Sequence, residues 1–80
     1  MSITVYTTTW CGDCRRAKRF LAEHTVEYEE IDIEENEEAA ALVMSQNDGR
    51  RSVPTIRIED RYYGNPPLNE LARLLKIPLW

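Results

Sequence analysis

The 80-residue chain is poor in the groups that staple small proteins: it has two cysteines, one histidine and three glycines. Cys11 and Cys14 lie three positions apart and would close too short a loop to constrain much chain. An ordinary apolar core must therefore hold the fold, and a hydrophobic content of 42% is enough to build one. With His24 as the lone histidine, a four-ligand structural zinc site cannot be filled within one chain, so no metal ligands are expected. Positive charge is not in excess. Ten Lys and Arg stand against 14 Asp and Glu, a net charge of −4, which argues against a nucleic-acid surface. No apolar run approaches membrane-spanning length, so no membrane partner is expected. The opening MSITVYTTTW has neither a basic stretch nor an apolar signal core. The expected compartment is the cytoplasm, where thiols stay reduced. The length predicts one domain, 1–80.

Repeats and linkers are also lacking, and the chain divides into short periodic segments. The β-branched and aromatic run 3–7, ITVYT, predicts a strand. A helical pattern follows from Cys11 to His24, with Ala17, Phe20, Leu21 and His24 on one stripe. YEEIDI, 28–33, predicts a second strand. Asn36 is placed to cap a second helix whose buried stripe would be Ala39, Leu42, Val43 and Gln46, ended by the NDG at 47–49. VPTIRI, 53–58, alternates as a strand with Pro54 confined to its start or to an edge. A turn at Glu59-Asp60 leads to a strand at 61–63. Pro67 suits the first turn of a last helix with Leu68, Leu71, Leu74 and Leu75 on its apolar face, and Pro78 stops it. The expected architecture is α/β, in the order β-α-β-α-β-β-α. The first β-α-β would join parallel strands and the last two strands would form a hairpin.

Both cysteines fall where the first strand gives way to the first helix, an exposed kind of junction. A helix N-terminus carries unsatisfied N–H groups and partial positive charge, which favour a thiolate on Cys11. Gly12 would let a partner backbone approach. Cys14, on the same side of the first turn, is the more buried thiol and is placed to attack a mixed disulfide on Cys11. Cys-x-x-Cys beside a βαβ pattern is a cue for a thioredoxin-like redox site. Arg15, four residues after Cys11, would bring a cation toward that sulfur, whereas the Asp13 carboxylate would oppose an anion there. The plainer alternative is a pair of small core hydrophobes.

VYTTTWCGDC, YEEIDIEEN and RRSVPTIRI together resemble the glutaredoxin branch of the thioredoxin superfamily over nearly all of the chain. SQNDGRRSVPT followed by YGNPP is especially similar to mycoredoxins, the glutaredoxin-like enzymes that work with mycothiol. The resemblance implies a thioredoxin fold, a mixed four-stranded sheet flanked by three helices. Cys11 matches the nucleophile and Cys14 the resolving cysteine. Pro54 matches a cis-proline preceded by Val53, whose backbone pairs with a bound thiol peptide. Trp10 matches a residue lining the groove. Arg51 and Ser52 lie where a substrate carboxylate is touched, and Asn65 would begin the last helix, where N–H groups could hold an anionic thiol. Together with Gly12 and Asp13 these form the expected substrate-binding set. Plainer roles also exist: a blunted strand start for Pro54, a half-buried surface aromatic for Trp10, a solvated loop cation for Arg51 and a simple cap for Asn65.

Three departures from the family pattern bear on substrate. Gly12-Asp13 stands where glutathione-using relatives have Pro-Tyr, and Tyr63-Gly64-Asn65-Pro66-Pro67 stands in place of a Gly-Gly-x-x-Asp run. The Trp-Ser-Gly-Phe-Arg-Pro segment of ribonucleotide reductase reductants is missing. The expected activity is reduction of mixed disulfides between proteins and a low-molecular-weight thiol, mycothiol or a similar one. That thiol would be the co-substrate, with no tightly bound cofactor, and the enzyme would be a monomer. The alternatives are a dithiol protein reductant fed by a thioredoxin-type reductase, an iron–sulfur carrier with a cluster bridged by two chains through Cys11, and a non-catalytic binding module with an inert thiol.

Overall fold

A computed structural model describes residues 2–79; the ends of the expected 1–80 domain, Met1 and Trp80, lie outside the described residues. Seven elements follow in the expected order: β1 Ile3–Thr7, α1 Gly12–Glu23, β2 Glu29–Asp32, α2 Glu37–Gln46, β3 Thr55–Ile58, β4 Arg61–Gly64 and α3 Leu68–Leu75. The sheet order is β2-β1-β3-β4. β1 runs parallel to β2 and antiparallel to β3, and β3 and β4 form an antiparallel hairpin with Ile56 opposite Tyr63. This is the thioredoxin fold. No helix among the described residues is long and apolar enough to cross a membrane.

Successive strand residues point to opposite faces, so β1 can feed two cores. Ile3 and Val5, with Ile56, meet Ala17, Phe20 and Leu21 of α1 and Leu71, Ala72 and Leu75 of α3. Tyr6, with Ile33, meets Ala39, Ala40 and Val43 of α2. The two helical layers thus enclose β1, all of whose residues are buried. The His24 ring packs against Phe20 at 4.5 Å between centroids, tilted by 56°, in keeping with a packed residue on the apolar stripe.

Helix ends follow local chemistry closely. Asn36 caps α2, its side-chain oxygen accepting from Ala39 N–H at 3.0 Å. Three details differ from the sequence-based expectation. Gln46 is exposed and Ala40 takes the buried place, because α2 packs through its small residues, Ala39 and Ala40 with Val43. α3 ends at Leu75 rather than at Pro78. Lys76 turns left-handed (φ 58°), and the Lys76 and Ile77 N–H groups return to Arg73 and Ala72 carbonyls, which closes the helix. Asn65 does not begin α3. It sits in the β4–α3 turn with φ 44°, and the helix is capped by Pro67.

The side chain of Asn47, just beyond α2, ties that helix to the start of β3. Its Nδ2 donates to Val43 O at 2.7 Å and to Thr55 Oγ1 at 3.1 Å, and Thr55 Oγ1 donates to Ser52 O at 2.6 Å. Thr55 is fully buried, so these bonds satisfy polar atoms cut off from water. They hold the loop that carries Val53 and Pro54.

Candidate active site

Cys11 is the N-cap of α1 with extended backbone (φ −86°, ψ 116°), and its sulfur accepts the Cys14 N–H at 3.1 Å. A sulfur thus takes the place of the side-chain oxygen that usually caps a helix. Across the groove the Cys11 thiol points to Val53 O at 3.6 Å, and the Val53–Pro54 peptide bond is cis. Two segments 42 residues apart therefore meet at one sulfur. Cys11 is more enclosed than an exposed junction would be, with 8% of its surface accessible, because the Val53 loop covers it; Cys14 has none. Both are free thiols.

The environments of the two sulfurs differ. Burial pushes the Cys14 thiol up to about 12, and its hydrogen bond to Cys11 adds to this. The backbone of Thr8 and the charge of Lys18 act in the opposite direction. The cation whose field reaches Cys14 is Lys18, one turn farther along α1. The Lys18 ammonium bonds Glu30 of β2 at 2.8 Å, and Thr7 Oγ1 donates to the same carboxylate oxygen at 3.0 Å. No local pattern marks this cluster, because Glu30 lies on another element.

An open groove of about 500 Å³ has Cys11 in its lining, together with Trp10, Gly12, Asp13, Arg51, Ser52, Val53 and Asn65. Seven of the eight expected substrate-binding residues therefore surround the Cys11 sulfur. The eighth, Pro54, is fully buried and lines an adjoining groove of about 250 Å³ with Arg16, Pro66 and Pro67. Asp13 and Asn65 border both grooves, and their side chains meet: Asn65 Nδ2 donates to Asp13 Oδ2 at 3.3 Å. The Asn65 N–H also donates to Pro54 O at 2.7 Å, so this turn is anchored to the cis-proline loop. Arg16 pairs with the other Asp13 oxygen at 2.9 Å, and Arg19 with Glu23 at 3.2 Å, so both cations are engaged on the surface of α1.

Trp10 is 66% exposed on the groove rim, and its indole N–H donates to Glu34 at 3.1 Å. Glu34 was not a sequence-based candidate, and only the acidic run around it hinted at a partner. Gly12 has no atom within 4 Å of where a Cβ would sit, so its smallness serves no internal packing. A separate groove of about 400 Å³ between Ile3, Val26 and Leu75 contains no cysteine. Among the described residues no three of His, Cys, Asp and Glu are grouped as metal ligands would be.

The glutaredoxin family model matches residues 3–63. A Mycobacterium tuberculosis protein named as a glutaredoxin is 45% identical over 78 residues, covering 95% of this chain and 93% of its own length. Mycoredoxin 1 of Corynebacterium glutamicum is 42% identical over 67 residues, covering 84% and 82%. The crystal structure of a variant of the thioredoxin-like protein BC3987 superposes with a TM-score of 0.86 at 30% identity, over 96% of this chain and 97% of the other. With its paired thiols at the head of α1 and a cis-proline opposite them, the chain belongs to the glutaredoxin family of thiol–disulfide oxidoreductases.

Proposed function

We propose that this protein reduces mixed disulfides between proteins and a low-molecular-weight thiol, with mycothiol or a closely similar thiol as co-substrate. The observation that carries the proposal is the Cys11 sulfur in the lining of an open groove, with the Cys14 N–H aimed at it at 3.1 Å. That N–H, together with the partial positive charge of the helix start, favours negative charge on Cys11 sulfur as nucleophile and as leaving group.

Cys11 thiolate attacks the small thiol's sulfur in the mixed disulfide. A new S–S bond joins Cys11 to the small thiol as the S–S bond to the protein substrate breaks, and the protein leaves as a thiolate that takes up a proton. A second small thiol then attacks the bound sulfur, releasing a symmetric disulfide and reduced Cys11. Alternatively, Cys14 displaces the small thiol and leaves a Cys11–Cys14 disulfide to be reduced in turn. Electrons come from the thiol pool, or from a thioredoxin-type reductase acting on that disulfide.

Trp10 and Gly12 form one wall for the substrate, and Arg51, Ser52 and Val53 the other, where the Val53 backbone can pair with a bound chain. Pro54 acts from behind by shaping that loop. Asp13 puts negative charge on the wall, partly offset by Arg16, which disfavours a carboxylate-bearing thiol and favours a neutral one. The 42% identity to mycoredoxin 1 supports the same choice. We place the activity in the cytoplasm, in one monomeric domain.

The test is turnover of a protein–thiol mixed disulfide with mycothiol, bacillithiol and glutathione in turn, for the native protein and Cys14→Ser. Mycothiol should give the highest kcat/KM, and Cys14→Ser should keep most of that turnover. Equal or better turnover with glutathione would contradict the substrate assignment. Loss of turnover in Cys14→Ser, with full activity from a reductase and NADPH alone, would favour the dithiol reductant.

A further inference from the structure

We propose that Lys18, held in place by Glu30 and Thr7, is a positioning residue for the resolving step, supplying the positive charge that lets buried Cys14 act as a thiolate. The inference rests on the proposed role of Cys14 as resolving thiol and concerns how a sulfur shut off from water can become a nucleophile at all.

Resolution requires Cys14 to lose its proton to solvent. Its sulfur then attacks Cys11 Sγ in the Cys11–S–S–R adduct. The Cys11–Cys14 bond forms as the bond to R breaks; the R sulfur is reduced and leaves as a thiolate, which is then protonated. Negative charge must thus appear, briefly, on a side chain with no accessible surface. Unpaired, such a charge is costly.

The surroundings of Cys14 offer few compensating groups. Cys11, on the same helix turn, is the other half of the reaction, and the Thr8 backbone comes from the loop after β1. Lys18 is four residues after Cys14, so the two share one face of α1. Its side chain is only 27% exposed. Its ammonium is fixed by the Glu30 carboxylate at 2.8 Å, and that carboxylate is steadied by Thr7 Oγ1 at 3.0 Å. β1, β2 and α1 thus all contribute to fixing one cation a helical turn beyond Cys14. Glu30 and Tyr28 are the acidic groups whose fields act on Lys18 besides Cys14. Because the pair keeps Lys18 protonated, it works as a fixed charge and not as a proton acceptor.

Removing this charge should raise the Cys14 thiol further. The thiolate fraction then falls, and the stronger nucleophilicity of a more basic sulfur returns only about half of that loss on a logarithmic scale. Resolution should therefore slow.

The experiment mixes reduced protein with bis(2-hydroxyethyl) disulfide, quenches with acid, and follows by mass spectrometry the Cys11 adduct and then the internal disulfide. The series runs from neutral to alkaline pH on native protein, Lys18→Met, Lys18→Arg and Cys14→Ser. In Lys18→Met the ratio of resolution to capture should fall, with the pH profile of resolution displaced upward; Lys18→Arg should restore both. An unmoved profile in Lys18→Met, or equal slowing in Lys18→Arg, would overturn the role of the charge while leaving the dithiol mechanism intact. An adduct that persists in the native protein as it does in Cys14→Ser would remove both the resolving role of Cys14 and the proposal resting on it.

Discussion

The side-chain oxygen of Asn47 occupies the place where a Cβ on Gly64 would have to sit. α2 and β4 meet there beneath the loop that presents Val53 to Cys11, so a scaffold contact sets the height of one groove wall. Gly64→Ala should cost about 1–3 kcal/mol, the usual range for overpacking. Asn47→Ala should cost a similar amount, because it takes from the Val43 carbonyl its Asn47 donor and removes one of the two bonds at the buried Thr55 hydroxyl. The double variant should lose less than the sum, since each change removes what the other collides with or holds. Urea unfolding of the four proteins checks this; strict additivity would show that the two residues do not share the site.

Gly12 presents the opposite case. With open space at its Cβ position and a place in the first turn of α1, Gly12→Ala should keep full stability and gain up to about 0.5–1 kcal/mol. Turnover of a small disulfide should be unchanged, whereas KM for a protein mixed disulfide should rise. Equal effects on the two substrates, read by steady-state kinetics, would mean that no partner backbone passes over residue 12.

Asp13 links Arg16 and Asn65 from an exposed position, and such pairs contribute little, about 0.2–1 kcal/mol. Asp13→Ala should therefore change thermal stability only slightly. It should speed alkylation of Cys11 by iodoacetamide at neutral pH, because a carboxylate next to the reacting sulfur is gone. Alkylation that is unchanged or slower would show that the Asp13 charge does not reach Cys11.

Cys14 predicts an alkaline limb in stability. Its thiol is raised from 9.0 to about 12 in the folded chain, so folding favours the protonated form. The stability linked to it is complete below about 9 and is lost as pH rises from there toward about 12. Glu30 acts at the other end. Its hydrogen bond from Lys18, then that from Thr7, lowers it, so its contribution is present above the ordinary carboxylate range and fades as pH falls through its folded value. Partial exposure keeps that acid limb small. Urea midpoints against pH should show the alkaline limb in the native protein and a shallower one in Cys14→Ser. Identical alkaline limbs would contradict the burial of the Cys14 thiol.

Features that depend on neighbours in sequence were legible in advance. The β-branched run of β1, the Asn36 cap and the Cys11 position at the head of α1 are local, and the structure repeats them. So is Val53-Pro54-Thr55, whose motif carried the family resemblance. Features that depend on packing were not. The family resemblance puts Asn65 at the start of α3, whereas its backbone bond to Pro54 holds it in a turn. Pro78 looked like the stop of α3, but the left-handed turn at Lys76 closes the helix earlier. The enclosure of Cys11 by the Val53 loop, the Trp10–Glu34 bond, the Lys18–Glu30 pair and the Asn47 bridge each join different elements. No pattern within a single element records them.

The most direct test of the two-thiol assignment is to trap its intermediate. Cys14→Ser and Cys11→Ser are each mixed with a protein–mycothiol mixed disulfide, quenched in acid and mapped by mass spectrometry. Cys14→Ser should accumulate mycothiol on Cys11 while the protein substrate is released as a free thiol, and Cys11→Ser should release none. Release of substrate by Cys11→Ser, or a mycothiol adduct found on Cys14 in that variant, would contradict Cys11 as the nucleophile.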